Sequence, residues 1–229
     1  MIKIKARTIM NKIKNFLLDL FFPKKCLGCG KSDTYLCADC FAWLLTEQAQ
    51  NPIIERQKDT CLDRIISATN YANPLIRELI KSFKYYYVKE LAEPLSQLLI
   101  KTLKTFNFSA SGGQFLIIPI PLHEHRLRYR GFNQAELLAK KVASHFNLPI
   151  ETNALKRIVS TYPQANIKNT DKRKNNLKDV FEIMPGAIKG KNILLIDDVA
   201  TTGATLIEAA RILKSNGARE IWALVVAKG

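Results

Sequence analysis

The stretch Ile193–Leu206, ILLIDDVATTGATL, decides the fold. Its four leading apolar residues, Ile193 to Ile196, form an unbroken run that predicts a strand buried on both faces, as in a parallel sheet covered by helices. Asp197 and Asp198 come next, then a short turn with Thr201, Thr202 and Gly203, and a helix from about Ala204. That helix puts Leu206, Ala210 and Leu213 on one face, and Gly217 can close it in a left-handed conformation before the next strand, Ile221–Ala227. In such units ligands sit in the crevice beyond the carboxyl ends of the strands. Backbone N–H groups around Thr201 to Thr205, the threonine hydroxyls and the positive helix end predict a phosphate cup, with glycine permitting close approach. Two carboxylates ahead of the cup suit sugar hydroxyls, so the stretch describes a sugar-phosphate site. The bland alternative is an Asp-Asp turn that opens a helix. Turn chemistry accounts for the threonines and glycine there, but not for paired acids after a buried strand. No G-x-x-x-x-G-K-[ST] and no G-x-G-x-x-G occurs in the chain, which excludes two competing nucleotide motifs.

A second buried strand is expected at Phe115–Ile120, ending in Pro119-Ile120-Pro121. LHEHRLRYRGFNQAELL follows, with Arg126, Arg128 and Arg130 in a loop beside a turn at Gly131, and Asn133 capping a helix that carries Ala135, Leu138 and Val142. Arginine forks donate paired hydrogen bonds and stay charged, which suits pyrophosphate. His123 and His125 offer proton transfer or metal binding, but in a loop of arginines solvated side chains are the favoured reading. Nearer the N-terminus, Cys26, Cys29, Cys37 and Cys40 make two C-x-x-C knuckles that converge four thiolates on one point, a tetrahedral site for structural zinc. A disulfide pair or a redox dithiol is the alternative, and nothing else in the sequence suggests export. Cys61 reads as a buried or incidental thiol.

At 229 residues the chain holds one medium domain plus a small module. No apolar run is long enough to cross a bilayer. The basic N-terminus and apolar Phe16–Phe22 superficially suggest a signal peptide, but Asp19 interrupts the segment and no small-residue cleavage site follows, so a cytoplasmic location is expected. The net charge of +15 is regional: residues 1–25 carry +6 and residues 121–178 carry +8. Such a distribution suits a polyanion, either nucleic acid or a pyrophosphate substrate, with a merely solvated surface as the alternative for the N-terminal cluster.

Thr8–Phe22 reads as an amphipathic helix, docked on its own protein in preference to a membrane surface or partner helix. Leu44–Asp63 reads as a polar connector, and Pro74–Phe83 and Lys89–Lys104 as helices, the latter with Leu91, Leu95, Leu98 and Leu99 on one face. Between them, Phe83-Lys84-Tyr85-Tyr86-Tyr87 combines aromatics with a base. A core or surface aromatic patch is favoured there over nucleobase stacking. Ser160–Lys178, between short strands near Leu155–Val159 and Val180–Ile183, is a polar, basic loop long enough to act as a lid or binding segment.

The strand, acidic pair, spacer and Thr-Thr-Gly resemble the phosphoribosyl pyrophosphate (PRPP) loop of type I phosphoribosyltransferases. That resemblance implies that Asp197 and Asp198 bind ribose hydroxyls while Val199, Ala200, Thr201, Thr202, Gly203, Ala204 and Thr205 wrap the 5'-phosphate. Together with the double C-x-x-C behind a basic helix and the run PxPLHxxRxxxRGFNQ, in that order, the chain resembles the ComF family over nearly its whole length. Gln164 and Arg173-Lys174-Asn175 match the family pattern, whereas Ala200 stands for a larger apolar residue and Tyr86-Tyr87 for a glycine-containing turn.

The resemblance implies an α/β, type I phosphoribosyltransferase-like parallel sheet flanked by helices (residues 46–229) behind a basic helix and four-cysteine zinc module (residues 1–45). For competence members it implies cytoplasmic handling of single-stranded DNA in natural transformation, beside a helicase-like partner. If the chain is an enzyme, pyrophosphate would leave C1 of PRPP, with Mg2+ expected beside it and Arg126, Arg130 and Arg173 stabilising the leaving charge. The acceptor is unnamed by the sequence. A DNA-binding protein that retains the phosphoribosyl site is the favoured reading, an active transferase the second, and a purely structural zinc adaptor the third.

Overall fold

The computed structural model describes residues 23–48, 52–57, 60–108, 115–159, 180–184 and 188–229. The amphipathic helix expected at residues 8–22, the loop after Phe108 and the basic loop with Gln164 and Arg173 lie outside these residues. The chain divides into two compact units, Met1–Ala42 and Trp43–Gly229.

In the first unit the chain folds tightly about its cysteines. Lys25 and Ser32 pair across an antiparallel bridge. The Cys26 N–H donates to the Lys31 carbonyl at 2.8 Å, and the Gly30 N–H returns to the Cys26 carbonyl at 2.8 Å. Gly30 holds φ 78°, a turn that a side chain would strain. Helix α1 (Ala38–Trp43) then carries Cys40.

The second unit is built on a five-stranded sheet of order β1-β2-β7-β6-β3. Its strands are β1 (Ile53–Arg56), β2 (Arg64–Asn70), β3 (Phe115–Pro119), β6 (Asn192–Ala200) and β7 (Glu220–Lys228). All neighbours run parallel except β1 and β2. Helices α2 (Pro74–Tyr85), α3 (Ala92–Thr105), α5 (Gln134–Phe146) and α6 (Ala204–Ser215) fall near the expected positions. The apolar seam of α3, with Leu95, Leu98 and Leu99, is fully buried. Because side chains alternate along a strand, Ile193 and Leu195 join Leu206, Ala210 and Leu213 of α6, together with Leu155 and Phe181, in one core cluster. Leu194 and Ile196 face the other way, where α5 packs on β6. Leu155 and Phe181 belong to a separate antiparallel pair, β4 (Leu155–Arg157) and β5 (Phe181–Ile183).

Three expectations are corrected. The polar connector at residues 44–63 contains an edge strand, β1, paired to β2 with Ile53 opposite Ser67. Its IIER alternation leaves it half-buried, which is why it reads as polar. The arginine loop is a short helix, α4 (Glu124–Arg130), capped by His123, which accepts from the His125 N–H at 3.2 Å, and closed by Gly131 at φ 75°. Finally, β6 runs past the four apolar residues through both aspartates to Ala200, so the acidic pair stands within the strand instead of after it.

Candidate phosphoribosyl site at the sheet edge

The carboxyl end of β6 feeds the loop Thr201–Gly203 and then α6. Gly203 is the N-cap of α6 at φ 73°, and a Cβ there would meet the Ile65 Cδ1 at 3.1 Å, so glycine fits both the backbone and the space. The Thr202 hydroxyl accepts from the Ala204 N–H at 3.4 Å, and the exposed threonines face solvent at the helix N-terminus. An anion placed there would meet free N–H groups and the positive helix end.

Alternation along β6 sends the two carboxylates to opposite sides. Asp198, nearly fully buried, takes the Lys84 Nζ at 2.8 Å from the end of α2. Burial pulls that ammonium down, but the charges of Asp198 and Asp197 more than offset it and hold Lys84 above its ordinary value. Asp197 accepts the N–H of Asp198 at 2.8 Å. Burial, and then the neighbouring Asp198 charge, push its carboxyl up to about 7, against the opposing pull of Lys84 and Arg157.

Around this pair the fold gathers cations that are remote in sequence. Arg130 of α4 feels the Asp198 charge, donates to the Gln134 Oε1 at 2.5 Å and lies 5.7 Å from the Tyr85 ring centroid. Gln134 in turn donates to the Phe83 carbonyl at 3.3 Å, tying α5 to the segment that carries Lys84. Arg126 lies within electrostatic reach of both Arg130 and Arg157. Burial lowers the Arg130 and Arg157 guanidiniums from their ordinary values. Of the residues expected on the pyrophosphate side, Arg130 stands near Asp198, Arg126 stands near Arg130 and Arg157, and Arg173 is outside the described residues. His123 is spent as a helix cap and His125 is exposed.

Sequence reasoning missed Arg157 and the Lys84–Asp198 bond. Arg157 is buried on β4, its Nε donates to the Val159 carbonyl at 3.4 Å, and its guanidinium lies 5.6 Å from the Phe181 ring centroid. One signal was available: Leu155, Lys156 and Arg157 alternate in, out, in, so the strand period puts an arginine on a buried face.

In the four-cysteine module the Sγ atoms of Cys26, Cys29, Cys37 and Cys40 all lie within 4.8 Å of one another. Cys29 and Cys37 Sγ are 3.6 Å apart. A tetrahedron of thiolates about 2.3 Å from zinc has edges of about 3.8 Å, so the arrangement fits that ion. Burial pushes the Cys26 thiol up, yet N–H donors of Cys37, Cys29 and Gly28 bring it down to about 6, while burial and the other thiols push Cys40 up to about 12. Among the described residues this is the one cluster of three or more metal-ligating side chains. No helix among them is long and apolar enough to cross a membrane.

A parallel sheet with a carboxylate pair and a helix N-terminus at its carboxyl edge defines a phosphoribosyltransferase-type fold, and residues 133–229 match the phosphoribosyl transferase domain family. DNA utilization protein YhgH of Escherichia coli K12 is 31% identical over 206 residues, covering 87% of each chain. Competence protein F of Haemophilus influenzae Rd is 32% identical over 170 residues, 71% of this chain and 72% of that protein. Competence protein ComFC of Bacillus subtilis 168 is 32% identical over 194 residues, 84% of this chain and 72% of that one. The chain belongs to the ComF family.

Proposed function

We propose that this protein binds PRPP at the sheet edge, carries one structural zinc on its four cysteines, and handles single-stranded DNA in the cytoplasm during natural transformation. The observation that carries the ligand is the buried strand end with Asp197 and Asp198 leading into the Gly203-capped helix. In this reading Asp197 and Asp198 accept hydrogen bonds from the ribose hydroxyls once Lys84 releases Asp198. Residues Val199 to Thr205 wrap the 5'-phosphate, and Arg126, Arg130 and Arg173 face the pyrophosphate. Mg2+ is expected to accompany PRPP, where it would neutralise pyrophosphate charge, with Asp197 and Asp198 as candidate carboxylates for it. The DNA role rests on the relatives named for competence and DNA utilization and on the regional positive charge. A helicase-like partner belongs to the same reading.

The test is a fluorescence-anisotropy titration of single-stranded DNA against zinc-loaded protein at two salt concentrations, with and without PRPP and Mg2+. Affinity that falls steeply with salt supports the reading, and no binding at low salt removes its DNA half. In parallel, calorimetric PRPP binding should disappear in an Asp197→Ala, Asp198→Ala variant. Unchanged binding there removes the ligand half. The gathering of Arg130 and Lys84 about the carboxylates, with Arg126 beside Arg130, also favours a second reading, an active phosphoribosyltransferase. Release of pyrophosphate from PRPP when an acceptor is supplied would decide for it.

A further inference from the structure

Four large rings stand in water beside the candidate site. Tyr85, Tyr86 and Tyr87 at the end of α2 are 59%, 61% and 39% exposed, and Tyr129 of α4 is 79% exposed. They come from two segments more than forty residues apart in sequence, and the segments meet at Tyr87 and Tyr129, whose ring centroids are 6.1 Å apart, edge to face at 72°. Cations are interleaved with them. The Lys81 Nζ lies 5.6 Å from the Tyr86 ring centroid and the Arg130 guanidinium 5.7 Å from that of Tyr85. Phe83, in the same run, is wholly buried, so burial separates the core aromatic of this segment from its surface ones.

We infer that this tyrosine patch is a stacking platform for the bases of single-stranded nucleic acid. The inference rests on the DNA-handling reading above and assigns it a surface. Single-strand sites combine cations that follow the backbone with aromatic faces on which bases stack. A tyrosine ring suits this position because it tolerates water at its hydroxyl while keeping an apolar face. A duplex hides its base faces against one another, so the platform selects single strands. Because Tyr85 adjoins Lys84, and Arg130 lies against its ring, the platform shares its backbone with the carboxylate site.

The experiment compares full-length wild type, a Tyr86→Leu, Tyr129→Leu variant and a Tyr86→Phe, Tyr129→Phe variant. The probes are an oligothymidylate of about 20 nucleotides, an abasic strand of the same length and a blunt duplex. Wild type should prefer the oligothymidylate to the abasic strand. The leucine variant should bind the oligothymidylate roughly tenfold or more weakly, with the abasic affinity and the salt dependence unchanged, because no cation has been removed. The phenylalanine variant should bind like wild type, which separates loss of the ring from loss of the fold. If wild type binds the oligothymidylate and the leucine variant matches it, the platform is overturned and DNA handling stands. An equal loss on abasic strand or duplex overturns the platform as well. If wild type binds no single strand at all, the DNA reading fails and the platform falls with it.

Discussion

The four-cysteine module and the carboxylate site follow opposite plans. In the module every candidate ligand lies between Cys26 and Cys40, and short-range bonds, among them Cys26 N–H to the Lys31 carbonyl and Cys37 N–H to the Cys26 Sγ, bring the sulfurs together. In the carboxylate site Asp197 and Asp198 are adjacent, but their counter-charges come from α2, α4 and β4. The first arrangement is short-range in sequence; the second draws on elements far apart in the chain. Damage to the module should therefore be confined to the module, whereas damage to the site should register in global stability.

Loss of zinc should give the largest effect. Structural zinc contributes on the order of 10 kcal/mol to small modules, so Cys37→Ser, or chelation, should remove one zinc per chain and abolish hydrogen-exchange protection around residues 23–42. Protection of β6 and β7 should persist; its collapse would mean that the module and the sheet unfold together. Asp198→Ala comes next, because it leaves the Lys84 ammonium in a largely buried place without its partner. Urea denaturation should show a loss of about 3 kcal/mol, the range for a broken buried pair. Asp198→Ala, Lys84→Met should recover part of it.

The third effect is a pH dependence. The Asp197 carboxyl, raised to about 7 in the fold, holds a proton that the unfolded chain releases near pH 4. Between those values the folded state binds the extra proton, so the ligand-free protein should lose stability as pH rises from about 4 to 7, by on the order of a few kcal/mol, and level off above. Thermal melts of Asp197→Asn should lack that slope. An identical slope would show that other groups produce it. The smallest effect belongs to Gly203→Ala: a residue forced to φ 73° costs about 1–2 kcal/mol, and the Ile65 methyl can yield to the new Cβ. Its PRPP affinity should fall by more than its stability suggests, since the cup backbone moves.

The same contrast explains what could be read from sequence. The cysteine spacing and the β6–α6 unit are local patterns, and both are legible within a few turns of chain. Gly217 closes α6 at φ 89° as its position implies. Strand β2 was overlooked because RIISATN mixes apolar and hydroxyl side chains. Its burial depends on the neighbouring β7, whose Val226 carbonyl accepts from the Thr69 hydroxyl at 2.6 Å. Lys84 reads as a base among aromatics, and no local pattern says that it will find Asp198 more than a hundred residues later. The aromatic run is likewise ambiguous on paper: Phe83 lies on the buried face of α2, Tyr85 on its exposed face, and Tyr86 and Tyr87 follow the end of the helix.

Tyr87 sits in the left-handed region at φ 58°, which a side chain rarely adopts. A glycine would relax that kink, while the tyrosine keeps a ring against Tyr129. The chain thus accepts a backbone penalty in return for an aromatic surface. Rigidity is the consequence: a kink fixed by a left-handed residue and braced by a ring from α4 holds the end of α2 in one orientation.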